Sequence, residues 1–305
     1  MRLFSFSFFA MACENELQLY AATEKEAGTA AQAVIDEVKR IETKYSRYLP
    51  DSVVSRINAS AGVMPVAIDP ETDQLLNYAH TCFAQSEGLF DITSGVLRRA
   101  WNFRAAKPPQ PGEIEPLLAL IGWQKVRRDP GSVFLPTPGM EIDFGGFGKE
   151  YAVDRATYVM AINGIQHGFV NLGGDLAVLG CHADGKPWGV GIRHPRMPGA
   201  LLATLPLYSG AIATSGDYER FFEFEGRRYC HILDPRTGQP VAGLQSVTVN
   251  APSCLVAGSA ATIAMLKGEG AGVAWLDRVG LAYLCVRGNG TRLNTFYEPV
   301  ISPQS

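Results

Sequence analysis

The stretch Glu141–Ala156, EIDFGGFGKEYAVDRA, decides how this chain reads. An apolar strand is expected through Ile142 and Phe144, running into Gly145, Gly146 and Gly148. Lys149 then opens a helix that carries Tyr151, Ala152, Ala156 and Val159. Glycines at such a junction let backbone N–H groups approach an anion, the helix N-terminus adds partial positive charge, and Lys149 adds a full one. The spacing is neither GxGxxG nor GxxxxGK[ST], so a dinucleotide-binding βαβ unit and a P-loop NTPase both lose support. Alone, a tight strand-to-helix turn with no ligand explains this segment equally well.

Two more glycine turns follow the same pattern. NLGGDL places Asn171, Gly173, Gly174 and Asp175 at a strand end, and ATSGDYERFF places Ser215, Gly216 and Asp217. Short apolar runs closed by glycine continue through WGVGIRHP, SVTVNAPS and AYLCVRGNG, and most read as strands. Upstream, Ala27, Ala30, Val34, Val38, Ile41 and Tyr45 make one helical face. Asp69 and Pro70 start a second helix with the stripe Leu76, Ala79 and Phe83, and Gly88 ends it. Helices are also expected over 150–162 and 255–267. The proline-rich segment RAAKPPQPGEIEP (104–116) lacks any period and reads as an excursion rather than a linker. The sum is a mixed α+β fold of sheets with packed helices, in one domain over 1–305.

The bulk properties exclude several classes of function. The chain has 305 residues, is 47% hydrophobic and 19% charged, and carries a formal charge of -3, which offers no polycationic surface to nucleic acid. No apolar run reaches the roughly 20 residues of a membrane span. Six cysteines without CxxC spacing read as reduced core residues. The run LFSFSFFAMAC (3–13) admits an export signal with a lipidated Cys13. However, Phe4, Phe6 and Phe8 alternate with Ser5 and Ser7 as in a half-buried strand, so a cytoplasmic location is expected. His80, near a helix stripe without acidic or cysteine partners, reads as structural. His231 stands three residues before Asp234 in YCHILDPRTGQP, whose Asp-Pro-Arg-Thr-Gly run is strong turn chemistry. The chain has no GxSxG elbow for a serine hydrolase.

Six segments in this order resemble the ApbE-like FAD:protein FMN transferase family: KYSRYLPDSVVSRINA (44–59), GLFDITSGVL (88–97), DFGGFGKEYAVDR (143–155), NLGGDL (171–176), ATSGDYERFF (213–222) and HILDPRTGQPV (231–241). The resemblance implies a T-fold-related architecture. It also implies transfer of the FMN half of FAD to a Thr or Ser hydroxyl of a target flavoprotein, with Mg2+ assistance and release of AMP. Carried over by position, it implies FAD contacts at Met11, Tyr48, Leu89, Phe90, Asp91, Asp143, Lys149, Asp175 and Leu233. His231 and Asp234 fall on the same wall as the candidate catalytic pair, and Gly146, Ala261 and Thr262 fall at the metal.

The chain departs from the family pattern at the metal. The resemblance implies an Asp four residues before Thr262, and CLVAGSAATIAML has Gly258 there. The hard cation is therefore expected to have lost its anionic ligand, and Gly258→Asp is expected to raise Mg2+ affinity. In addition, Glu150 replaces the glycine expected after the lysine, an acid that would compete with the phosphates unless it points away or binds the metal itself, and Met11-Ala12-Cys13 replaces Met-Gly-Thr. Two alternatives to transfer remain open: a non-catalytic FAD-binding or flavin-delivery protein, and an FAD pyrophosphatase yielding FMN and AMP.

Overall fold

The computed structural model describes residues 1–296. The alternating phenylalanines form β1 (Arg2–Ala10), which turns through Met11 and Ala12 into β2 (Cys13–Ala21). The sheet continues with β3 (Gly168–Leu172), β4 (Asp175–Leu179), β5 (Gly210–Gly216), β6 (Leu244–Ala251), β7 (Ala282–Arg287) and β8 (Arg292–Asn294). Every neighbouring pair is antiparallel, and the eight strands lie side by side in chain order. Residues 141–144, expected as a strand, join no sheet. Their backbone is held by a side chain and a loop instead: Ile142 N–H donates to Asn58 Oδ1 (2.7 Å), Asn58 Nδ2 donates to the Ile142 carbonyl (3.0 Å), and Asp143 N–H donates to the Ile92 carbonyl (2.9 Å).

The helices begin where capping chemistry stands in the sequence. Thr23 closes a capping box with Glu26 at the start of α1 (Glu24–Tyr45). Ser52 caps α2 (Val53–Ala59), and Asp69 caps α3 (Pro70–Gln85) ahead of the first-turn proline. After the glycine turn come α4 (Gly148–Ile162), α5 (Cys254–Lys267) and α6 (Glu269–Val279). The last was not expected, because Gly270 and Gly272 lower its helix propensity. Tertiary contact overrides that deficit: a Cβ at Gly272 would sit 2.2 Å from the Ala264 carbonyl oxygen, so the glycine lets α6 approach the backbone of α5.

Helices α1, α4 and α5 bury one face of the sheet around Leu17, Leu19, Val170, Leu172, Val247 and Val249. The other face is covered by the hairpin Trp188–Arg193/Leu201–Leu207, packed on Leu176, Val178 and Ile212. The proline-rich excursion anchors through Ile114 in a third cluster with Leu97, Trp101 and Phe222. Trp101 Nε1 donates to the Gly238 carbonyl (2.7 Å), and Gly238 adopts φ +68 with no room for a side chain, since Ile114 would lie 2.4 Å from its Cβ. The excursion thereby fixes the turn that follows His231.

Register sets where the turns fall. Ala10 pairs with Cys13, Asn15 with Leu172, Leu172 with Asp175, and Ile212 with Leu176. The β1–β2 turn, the β3–β4 turn and the C-terminal end of β5 therefore share one end of the sheet. Helices α4 and α5 are locked over that end by Asp154, whose carboxylate accepts from Cys254 N–H (2.7 Å) and Leu255 N–H (2.9 Å) at the start of α5. Replacing Asp154 by Ala removes two charge-assisted hydrogen bonds at a helix N-terminus. It is expected to lower unfolding stability by about 2–3 kcal/mol, and Asp154→Asn by less. Urea unfolding midpoints indistinguishable from wild type would refute this lock.

Candidate active site

Hairpin geometry builds the floor of the site. Gly173 and Gly174 both take positive φ (61 and 106), as a two-residue turn between antiparallel strands requires, and Gly174 N–H donates to Asn171 Oδ1 (2.8 Å). A Cβ on Gly173 would lie 2.9 Å from Cys13 Sγ and 3.5 Å from Lys149 Nζ, so the absent side chain is what admits both groups. The neighbouring β1–β2 turn carries positive φ at Met11 and Ala12, neither of them glycine, and Met11 N–H donates to Glu42 Oε1 (2.8 Å).

Lys149 lies in the first turn of α4 and pairs with the buried Asp175 carboxylate at 2.8 Å. Burial works against the ammonium charge, but Asp175 outweighs it and holds the lysine above its ordinary value. The N-terminus of α4 has no side-chain cap, in contrast to the Ser, Thr or Asp caps of α1, α2, α3 and α5. An ammonium and an uncapped helix start thus converge beside the Gly173–Gly174 turn, an arrangement that favours a phosphate-bearing ligand. Cys13 faces the same point. Burial pushes its thiol above the ordinary value despite Lys149.

The remaining wall comes from the turn region 231–240. His231 lies at the rim, its backbone N–H and Nδ1 both set against the Arg220 carbonyl (3.0 and 3.3 Å). Crowding beneath the ring, then the Arg220 and Lys149 cations, push the imidazole below its ordinary value. Because the residue remains exposed, the two cations are the firmer cause, and the ring is neutral at pH 7. Asp234 accepts from Arg236 (2.8 Å) and from the Arg236 N–H (2.8 Å), which holds its carboxyl below the usual range, so it shapes the turn. Leu233 bridges to Pro240 in the same turn.

Other expected contacts are placed differently. Tyr48 is 75% exposed, its hydroxyl accepting from Arg47 (2.7 Å) and the Arg47 guanidinium lying 4.8 Å over its ring. Asp143 pairs with Arg47 and accepts from Gly145 N–H (2.9 Å), fixing the glycine turn. Leu89, Phe90 and Asp91 are buried. Phe90 stacks on Phe147 and lies beneath Gly146. Both Asp91 oxygens are occupied by Thr93 (2.7 and 2.6 Å) and the Trp123 N–H (2.9 Å), so this strip supports the turn from below. His80 accepts from Trp123 Nε1 (3.2 Å), a structural contact.

Two groups escaped the sequence reading. Arg220 forms no ion pair among the described residues, and its charge reaches Cys13, Tyr48 and His231. Cys13, set down as a core cysteine, lines the floor instead. Their only signal was position within quoted motifs. A surface cavity lies apart, over Arg196, Asp217, Glu223 and Arg228, whose charges already pair with one another.

At the expected metal position, Ala261 is buried on α5, and Thr262 Oγ1 lies 2.7 Å from Ser215 Oγ. The position of the absent Asp side chain is not empty. The Glu150 side chain fills it, with Oε1 in contact with the place where a Gly258 Cβ would be, and Cγ 2.5 Å and Cδ 2.8 Å from it. Gly258→Asp alone would therefore collide with Glu150 rather than simply add a ligand. Burial, with Asp175 behind it, raises the Glu150 carboxyl well above its ordinary value. No trio of acidic, His or Cys side chains converges at ligand spacing among the described residues. A hard cation that keeps waters and phosphate oxygens requires only one or two carboxylates, so these residues fit such an ion.

A model of the ApbE family matches residues 11–285. The chain belongs to the ApbE family. This ApbE protein is 34% identical to the FAD:protein FMN transferase of Klebsiella pneumoniae (strain 342), over 81% of its own length and 77% of the relative's. It is 32% identical to that of Salmonella typhimurium, over 83% and 75%. Among solved structures, the ApbE protein of Thermotoga maritima superposes with a TM-score of 0.90 at 32% identity, covering 97% of each chain. The flavinyl transferase ApbE of Pseudomonas stutzeri in its apo form gives 0.86 at 29%, covering 97% and 95%.

The Lys149–Asp175 pair generates a test in this ApbE protein. Lys149→Met leaves Asp175 buried and unpaired, and is expected to cost about 3–5 kcal/mol of stability. Adding Asp175→Asn restores most of that stability in urea unfolding but not FAD binding by calorimetry. Full FAD affinity in the double variant would remove Lys149 from the site.

Proposed function

We propose that this protein transfers the FMN half of FAD to a Thr or Ser hydroxyl of an acceptor flavoprotein and releases AMP. The observation that carries this reading is the Lys149 ammonium, held by Asp175 at the uncapped start of α4 beside the Gly173–Gly174 turn. That convergence suits a pyrophosphate, and the names of the relatives point to the same substrate. In the reaction the acceptor oxygen bonds to the FMN phosphorus while the bridging P–O bond breaks, and AMP takes the bond's electron pair.

Lys149 and the α4 amides stabilise the phosphate charge, which is greatest as AMP departs. His231, neutral and at the rim, accepts the hydroxyl proton or orients that hydroxyl, while Asp234 and Arg236 hold its turn. Arg220 adds positive charge where the flavin phosphate and acceptor would meet. Mg2+, when bound, would neutralise phosphate charge, with Thr262 and the backbone oxygens of Gly146 and Ala261 as groups to hold it. A cytoplasmic location belongs to the same proposal. Lipidation at Cys13 would require removal of β1, which pairs with β2 along its whole length.

Incubation with FAD, Mg2+ and an acceptor flavoprotein is expected to yield flavin fluorescence that stays with the acceptor on a denaturing gel. Free FMN with AMP would mean hydrolysis, and intact bound FAD would mean storage or delivery. His231→Gln is expected to slow transfer by about 10²–10⁴-fold with little change in FAD affinity. The wild-type rate should fall only below the ordinary histidine value of 6.5, because the neutral ring persists to lower pH. A profile already falling between pH 7 and 8 would contradict that role.

A further inference from the structure

The buried charges at the α4–α5 contact do not balance. Glu150 and Asp175 are two carboxylates, 8% and 6% exposed, and the one ammonium beside them, Lys149, pairs with Asp175 at 2.8 Å. Among the described residues no side chain donates a hydrogen bond to the Glu150 carboxyl. A carboxyl so placed is an incomplete constellation: burial holds it neutral when nothing pairs with it, and a bound cation would let it ionise.

Its position is specific. Glu150 lies over Gly258 on α5, within the volume of the missing side chain. One helical turn along α5, Thr262 turns its hydroxyl to Ser215 on β5 (2.7 Å). Residues four apart share a helix face, so the carboxylate that lies on position 258 and the Thr262 hydroxyl present oxygen on one side of α5. The lock at Asp154, one turn after Glu150 on α4, fixes the two helices in this register.

We propose that Glu150 is a ligand for a hard divalent cation, delivering from α4 the carboxylate that α5 lacks at Gly258. Glu150 and Gly258 are then a compensating pair: the larger residue on one helix requires the smallest on the other. The site is a single carboxylate supplemented by the Thr262 hydroxyl, with phosphate oxygens and waters to complete the shell. This inference rests on the FAD reading for those phosphate oxygens, but metal binding and FAD binding are separable measurements.

The test uses the intact protein with Mn2+ as the probe, titrated by calorimetry and by the loss of the free-ion electron paramagnetic resonance signal, without and with FAD. FAD binding is measured independently in EDTA. Glu150→Gln is expected to weaken Mn2+ binding at least tenfold while FAD affinity in EDTA holds or tightens. Gly258→Asp alone is expected to weaken Mn2+ binding through collision with Glu150. Glu150→Gly combined with Gly258→Asp is expected to restore Mn2+ affinity to within about threefold of wild type, because the carboxylate then arrives from the other helix. Glu150→Gln binding Mn2+ as tightly as wild type would overturn the proposal, as would a correctly folded double variant that gains nothing over Glu150→Gln. Absence of FAD binding in EDTA with Mn2+ affinity still dependent on Glu150 would defeat the FAD reading and leave the ligand assignment standing.

Discussion

The Asp154 carboxylate, clamped on the first two N–H groups of α5, is the contact on which the site depends. It joins two helices that are distant in sequence and sets their relative height over the sheet. Lys149 and Glu150 stand one turn earlier on α4, while Gly258 and Thr262 stand one and two turns later on α5. A shift of one helical turn would separate Glu150 from Gly258 and pull Lys149 off Asp175. The small residues of α5, Ala257, Gly258, Ala260, Ala261 and Ala264, permit the close approach that the clamp demands.

Around that contact the charge is divided by function. Asp175 fixes Lys149, Asp143 fixes Arg47, and Asp234 fixes Arg236, each acid orienting one cation. Among the described residues Arg220 and Glu150 are left without an ion-pair partner, and they belong to different parts of the cleft. Arg220 reaches the rim with His231, while Glu150 faces α5. An anionic substrate and a cation entering together would complete both, which is the electrostatic logic of a phosphoryl-transfer site.

Much of this was legible in the residues. The cap at Asp69, the helical stripe from Ala27 to Tyr45, the alternation at Phe4, Phe6 and Phe8 and the glycine turns each reflect local chemistry, and each reappears in the structure. The failures share a cause. Residues 141–144 have strand composition, but Asn58 claims their backbone groups, and α6 forms across two glycines because α5 accepts its close approach. Asp91 and Phe90, implied by the resemblance as FAD contacts, are engaged in the structure by Thr93, Trp123 and Phe147, two of them more than thirty positions away.

By itself the sequence determined the elements, the turns and the family motifs, because capping, periodicity and glycine conformations act over a few residues. It also exposed the departures at 150 and 258, and left open whether Glu150 points away or binds the metal. Only the tertiary structure decided that these two positions touch, that Arg220 and Cys13 enter the cleft, and that the strands lie in chain order. Those outcomes depend on packing between residues a hundred positions apart, and no local rule of chain geometry carries that information.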